Sequence, residues 1–517
     1  MTYKECEEYI NRKETLEKIY AEGVEPFPHK FSPSHQADEL HIHFNKAKIG
    51  GSKEAADGES PCVSVSGRLM LFRPMGKNAF ATIQDKSGRI QLMFNKENSH
   101  VEGLNADLPP MKFIEKRLDL GDIIGVEGHL FHTQKGELTV YVKKMTLLCK
   151  SLLPLPEKHS GLVDKETRYR KRWLDLISND SVQHTFRTRS KILSLIRSHF
   201  EELGFLEVET PILQNIYGGA QAKPFTTTLN ALDQTMYLRI ALEIALKKLI
   251  VGGMDRVFEI GKVFRNEGLD RNHNPEFTLL ESYAAMWDYN DSMRLVETLA
   301  EKIALALHDT TVLTLPHPQT QEPVQVDFKA PWKRITMKDS IKEYANIDVD
   351  TLSDDAMREL LMKEGMDKDE LQKATRGLLV AHLFETFVED TLMQPHHITD
   401  HPIETTPLCK PHRDPAAKKE GIIERFESFV LGGELVNAYT ELNDPILQRE
   451  LLEDQASRLA AGDEEANPLD EDFIEAISQG MPPCSGIGIG IDRLVMLFTA
   501  THSIRDVLYF PVMKPLE

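Results

Sequence analysis

Cysteine is scarce and unpatterned in this chain. Cys6, Cys62, Cys149, Cys409 and Cys484 are scattered through 517 residues, and no two stand in CxxC spacing. An odd, dispersed set excludes a disulfide framework and a cysteine-based zinc site, and it points to a reducing, cytoplasmic setting. Long apolar runs are missing too: nothing approaches the roughly 18 residues of a membrane span, and Met1–Tyr20 is charged rather than built like a signal peptide. Positive charge is in deficit, with 61 Lys and Arg against 81 Asp and Glu and a net charge of −20. Composition alone therefore favours an ordinary acidic enzyme over a nucleic-acid binder, whose affinity for phosphate backbone needs clustered Lys and Arg. Two nucleotide signatures are also absent, since neither G-x-G-x-x-G nor GxxxxGK[ST] can be laid on the sequence. What remains, at 41% hydrophobic and 27% charged residues, is a globular chain long enough for more than one core.

Against these absences stands the stretch Phe258–Glu281, FEIGKVFRNEGLDRNHNPEFTLLE. Two apolar runs, Arg256–Phe264 and Glu276–Tyr283, flank a loop rich in Gly, Asn and Asp, which predicts an antiparallel hairpin with a long loop. Arg265 and Glu267 stand where the first strand enters the loop, and Phe277 where the second begins. A cation, an acceptor and an aromatic face placed so can meet a phosphate, an amino group and a purine ring, or can simply decorate an exposed hairpin.

Upstream, residues 1–60 open with a charged helical segment (Glu5–Glu22) and a Pro- and His-rich approach. Five short strands are expected at Cys62–Leu71, Ala79–Asp85, Arg89–Phe94, Ile123–Phe131 and Glu137–Lys144, which suggests a small barrel of the OB type. Leu153-Pro154-Leu155-Pro156 reads as a stiff linker, followed by the basic run Arg168–Trp173, a solvated face or a backbone contact. Ile192, Ile196 and Phe200 have helical spacing and lead to the strand-like Phe205–Pro211. Gly218-Gly219-Ala220 permits close backbone approach to a ligand. Glu243 is the one acid in an apolar helix spanning Tyr237–Gly253, and a buried acid needs a partner. Lys338–Lys373 reads as an inserted, charged stretch. His396, His397 and His401 have metal-like spacing but no supporting Cys or paired acids, so loop histidines are expected. Further on, Asn437, Tyr439 and Glu441 recur at every second position, which puts all three on one strand face, either wet or lining a pocket. Gly480–Phe498 reads as a Gly-rich strand entering a helix that carries Arg493.

F-R-N-E-G followed by H-N-P-E-F-T resembles motif 2 of the class II aminoacyl-tRNA synthetases, in the wording of the lysyl branch of subclass IIb. The helix–strand–Pro unit ending at Pro211 is similar to motif 1, which builds a dimer interface, and Gly480–Phe498 to motif 3. Val63–Phe94 looks like the anticodon-binding domain of the enzymes that charge Lys, Asp and Asn. The resemblance covers the chain from about residue 60 to Val512. It implies a multidomain α+β protein: an extension over 1–60, an OB-fold over 61–150, and a linker over 151–185. A class II catalytic domain over 186–517 would follow, with an antiparallel sheet flanked by helices and a helical insertion around 338–390.

The implied activity is lysine–tRNA ligation in a cytoplasmic homodimer joined through motif 1. Lysine's carboxylate attacks the α-phosphate of ATP, and tRNA(Lys) then takes the lysyl group at its 3′ end. The implied residues are Arg265 and Arg493 for catalysis, and these two with Glu267, His273, Asn274 and Phe277 for ATP. Gly219, Glu243, Arg265, Glu281, Asn437, Tyr439 and Glu441 would hold lysine, and Glu427 and Glu434 would hold Mg²⁺. Arg68, Phe80, Gln91 and Glu137 would read the anticodon. Three positions depart from the family wording: Leu242 where Pro is common, Asn272 where relatives carry Arg, and Cys409 where the segment usually reads P-L-A-K. The class I signatures HIGH and KMSKS are absent. Rival readings are an aspartyl or asparaginyl sibling, a protein-lysylating paralogue (which would lack the OB domain), and a tRNA-binding scaffold without activity.

Overall fold

The computed structural model describes residues 3–105, 107–156, 162–462 and 466–515. It divides into two compact units, Met1–Gly161 and Leu162–Glu517.

The first unit is a five-stranded barrel: β1 (Cys62–Met75), β2 (Asn78–Gln84), β3 (Arg89–Asn95), β4 (Ile123–His132) and β5 (Leu138–Cys149). The order β3-β2-β1-β4-β5 is closed by parallel pairing of β3 with β5, Gln91 opposite Thr139. Alternation drives it: Val63, Val65, Ala79, Ala81, Ile83, Ile90 and Leu92 point into one apolar core. The described part of the expected extension, residues 3–60, packs onto the barrel. Its helices Glu7–Ala21 and Ala37–Phe44, with the segments between, lend Ile19, Val24, Ala37 and Leu40 to that same core.

The second unit is built on an eight-stranded sheet of β6 (Leu206–Glu207), β7 (Arg256–Phe264), β8 (Glu276–Ala285), β9 (Lys333–Thr336), β10 (His396–Pro402), β11 (Ile422–Val430), β12 (Gly433–Thr440) and β13 (Cys484–Gly490). Their order is β9-β10-β11-β12-β13-β8-β7-β6, antiparallel except for the edge pairs β9/β10 and β7/β6. One face of the sheet buries Leu280, Phe426, Val436, Ala438, Ile487 and Ile489 against the helices Asp180–Glu202 and Tyr289–His308. The insertion is helical from Met337 to Phe387 and packs a small core of its own, with Ile341, Met357, Leu361 and Phe384 fully buried.

Three expectations need correcting. The stretch expected as a linker is mostly structured. Lys165–Arg170 and Arg172–Ser178 are helices and the long helix starts at Asp180, while the preceding segment 157–161 lies outside the described residues. Nor is the basic run a solvated stripe: Arg172 is wholly buried, donating to Asp175 and to the carbonyls of Arg505, Leu508 and Tyr509. Arg168 and Arg170 are paired with Asp175 and Glu166. Finally, the histidines sit in strand β10, not a loop, and are buried. His396 meets Tyr344 and the Gln394 carbonyl, His397 meets Ser428 and Glu297, and His401 donates to the Ile398 carbonyl.

Candidate active site

The sheet's register makes a trough. Reading across the strands, Glu427, Asn437, Gly488, Glu281 and Glu259 stand in one row. The next row on the same face is Arg425, Tyr439, Gly486 and Tyr283. In the central strand β13 the glycines alternate with Ile487 and Ile489, which face the core, so the floor of the trough has no side chains. This is a spatial need. A Cβ on Gly486 would lie 2.1 Å from Glu441 Oε1 and 2.3 Å from the Tyr283 ring. The cavity over this floor encloses about 390 Å³, and every catalytic-unit site residue singled out above lines it.

At one end the walls are carboxylates. Glu243, Glu281 and Glu441 are 4%, 5% and 0% exposed. Glu243 opens the helix Glu243–Val251; it accepts from Tyr439 Oη at 2.8 Å and from Lys247 one turn later. Glu281 accepts from the Leu242 backbone N–H at 3.1 Å and from Tyr283 Oη at 3.2 Å. Leu242, one of the departures, thus supplies an N–H that proline would lack. Lys247 is wholly buried and also ion-paired with Glu441, yet neither Glu441 oxygen accepts a hydrogen bond of ordinary geometry. Burial, reinforced by Glu243, pushes the Glu281 carboxyl up to about 8, and burial holds Glu441 well above the carboxylate range despite Lys247. An arriving cation would relieve both. Gly219 closes this end in a left-handed conformation (φ +87°), where a Cβ would approach those of Glu243 and Ala241 to about 3 Å.

The other end is cationic and more open. The Arg265 guanidinium lies 5.2 Å from the Phe277 ring centroid, with Nε donating to the Ile240 carbonyl. Arg493 donates to the Glu434 carbonyl at 2.9 Å, and its Nη2 lies 3.3 Å from His273 Nε2. The hairpin loop is shaped by Asp270, which accepts from the backbone N–H groups of Asn272 and His273 and from the His273 ring. Asn274 is buried and donates to the Glu276 carbonyl, so it braces the loop, while Glu267 is exposed at its entrance. Asp492 ties the floor to its surroundings, accepting from the Thr278 N–H at 2.7 Å and from Arg189 of the Asp180–Glu202 helix at 2.6 Å.

Between the ends stand Glu427 and Glu434, across the β11/β12 hairpin. Arg425 Nη2 donates to Glu427 at 2.5 Å, and Arg493 lies 3.4 Å from Glu434. Burial raises both carboxyls, and Glu427 raises Glu434 further. An oxygen-only pair under such tension fits a hard divalent cation. Among the described residues no cluster of three or more His, Cys, Asp or Glu is arranged to hold a metal, so other oxygens would have to complete the shell.

Among the lining or supporting residues that escaped sequence reasoning are Lys247, Tyr283, Arg425 and Asn467. Tyr283 and Arg425 carry a signal, each two residues from a chosen acid on the same strand face. Lys247 follows Glu243 by four, but its neighbour Lys248 is as good a candidate on paper.

On the barrel, Phe80 lies on the outer face of β2, partly buried against Met93, Phe131 and Tyr141. Gln91 pairs with Thr82 and Arg68 with Gln84, so both share that face two and four residues further along. Arg68 also donates to the Gly121 carbonyl at 2.7 Å, and Glu137 is exposed just before β5.

Comparison with known proteins agrees across the whole chain. A family model described as class II tRNA synthetases (D, K and N) matches residues 164–514, and one described as an OB-fold nucleic acid binding domain matches 63–148. The lysine–tRNA ligase of Chlamydia caviae is 56% identical, with 100% of this chain and 98% of that protein covered. That of Listeria monocytogenes is 46% identical over 98% of this chain and 97% of its own length. A third, from Methanoculleus marisnigri, is 46% identical over 96% and 93%.

Proposed function

The chain belongs to the class II tRNA synthetases of the D, K and N group and is a lysine–tRNA ligase, and on that premise we propose how its residues divide the work. The observation that carries the assignment of the amino-acid pocket is its charge. Three buried carboxylates, Glu243, Glu281 and Glu441, stand with one resident ammonium, that of Lys247, which pairs with Glu243 and Glu441. A lysine substrate brings two more ammonium groups, so three negative charges meet three positive ones, and the substrate carboxylate is left for Arg265. Glu243 takes the α-ammonium and Glu441, with Tyr283 and Tyr439 nearby, the ε-ammonium. An aspartate or asparagine side chain would face these acids with a negative or neutral group and leave them unrelieved.

The nucleophile is already an anion, so catalysis is positioning and charge neutralisation. Arg265 orients the substrate carboxylate toward the α-phosphate of ATP, Phe277 offers a face to adenine, and Arg493 holds the γ-phosphate. Glu267, at the loop entrance, meets the adenine amino group or the acceptor end of tRNA. Glu427 and Glu434 would hold Mg²⁺, which when bound supplies electrostatic neutralisation of the phosphate oxygens. No general acid–base pair is needed. The 3′-terminal hydroxyl of tRNA(Lys) then takes the lysyl group, and Phe80, with Arg68, Gln91 and Glu137, meets the anticodon by stacking and edge contacts. A homodimer is supported by apolar residues left exposed in and after the motif 1 segment: Leu206, Ile212, Leu213, Leu229 and Leu232. Pyrophosphate exchange across a panel of amino acids tests the assignment: exchange should depend on lysine, and dependence on aspartate or asparagine instead would overturn it.

A further inference from the structure

We propose that Asn467 is a further substrate-binding residue, its amide oxygen accepting a hydrogen bond from the α-ammonium group of lysine beside Glu243. This rests on the lysine-activating reading above.

Asn467 belongs to the short segment between the helices Pro445–Ala460 and Glu471–Ser478. Its side chain lines the cavity, the residue is 4% exposed, and Oδ1 is buried without a hydrogen-bond partner. A buried amide oxygen left in this state costs stability unless something supplies a donor. Its position is held from both sides. Ala466 is buried, Leu469 packs against the Leu246–Phe473 core, and Asp470 caps the following helix by accepting from the Phe473 N–H at 2.9 Å.

The position also says which donor. A Cβ placed on Gly218 would lie 3.8 Å from both Asn467 Oδ1 and Ile244 Cγ1. The oxygen therefore stands under the Gly218–Ala220 loop, beside the first turn of the helix that Glu243 begins. An ammonium has three donors to place. Two of the carboxylates at this end already have claims on them, Glu243 from Lys247 and Tyr439 and Glu281 from Leu242 and Tyr283, and Glu441 is left for the ε-ammonium. Asn467 Oδ1 has none. Its neutrality suits a pocket whose three acids are matched by Lys247 and the two ammonium groups of lysine, because a fourth anion would unbalance it.

The test is calorimetric titration of the full-length protein with lysine and with 6-aminohexanoate, which is lysine without its α-amino group. The variants are Asn467→Leu, close in shape but without the acceptor, and Asn467→Asp, which keeps an oxygen in place. Asn467→Leu should bind lysine about ten-fold more weakly while 6-aminohexanoate binding stays unchanged, and Asn467→Asp, its carboxyl kept neutral by burial among the three acids and so still an uncharged acceptor, should bind lysine within about two-fold of wild type. Undiminished lysine affinity in Asn467→Leu overturns the proposal, and so does an equal loss for both ligands, as a general disturbance of the pocket would give. Asn467→Ala carries the same test if the leucine variant does not fold. A wild-type protein that exchanges pyrophosphate with aspartate rather than lysine would overturn the underlying reading instead, and that shows before any variant is made.

Discussion

At the end of the cavity proposed for the amino acid no carboxylate is more than 5% exposed, whereas at the end proposed for the nucleotide the Arg493 side chain keeps 34% of its surface in solvent. The deep end holds its acids against tyrosine rings and one buried lysine, with carboxyls pushed upward by burial. The shallow end holds arginines whose partners are a backbone carbonyl, an aromatic face and a partly wet acid. Choosing among amino acids requires stripping water from the ligand, which only a dry, pre-charged site can offset. Gripping a triphosphate requires charges that can rearrange as it enters and leaves, and there solvent is useful.

If that contrast is right, the largest loss comes from the deep end. Glu441→Gln leaves the ε-ammonium without its anion, a cost of about 3–5 kcal/mol, so kcat/KM for lysine should fall on the order of 10² to nearly 10⁴-fold. The KM for ATP should hardly move. Lysine dependence near wild type in a folded Glu441→Gln protein would erase the distinction between the two ends.

At the boundary, Glu427→Gln and Glu434→Gln should each raise the Mg²⁺ concentration needed for adenylate formation, by about ten-fold, with non-additive effects in the double variant. Overlaying Mg²⁺ titrations would make these acids structural.

A pH series sharpens the comparison further. Glu281 is pushed up to about 8, so below that pH it is protonated in the empty pocket and must lose its proton for a cation to be met by a carboxylate. Lysine affinity should therefore rise as pH goes from 6 to 8, by up to about ten-fold per unit for one proton released. ATP affinity should not follow that profile. Glu281→Gln should lower the slope of the lysine profile by the one proton that Glu281 releases, leaving only what Glu441 contributes, and calorimetry in buffers of different ionisation enthalpy should count the protons.

The smallest effect belongs outside the cavity. Because Phe80 is partly buried in its own cluster, Phe80→Ala should cost tRNA charging only about 1–2 kcal/mol and leave pyrophosphate exchange intact. Loss of exchange as well would mean that the barrel had unfolded.

Strand alternation made much of this legible in the sequence, because in a sheet the spacing of residues fixes their face. Asn437, Tyr439 and Glu441 reach one cavity for that reason, and the glycines at 486 and 488 clear the floor between walls. Helical and loop positions were harder. Nothing local distinguishes Lys247, wholly buried, from Lys248, whose side chain is 36% exposed. Asn467 sits in a segment without periodicity, so only its three-dimensional neighbours reveal it. Arg172 misled for the opposite reason: a basic run looks solvated until the carbonyls that receive one of its members, over 330 residues away in sequence, are in place.

Gly486 has a bearing on how freely this chain can vary. Its hydrogen stands where any other residue would put a carbon into Glu441 and Tyr283. Every substitution open to the position adds at least a methyl group, so drift there has no small steps. Exchanging an acid such as Glu441 for an amide changes charge but hardly volume, which is a small steric step. At Gly486 the first step already disturbs the two side chains proposed to meet lysine, and a lineage that changed it would have to move Glu441 or Tyr283 at the same time.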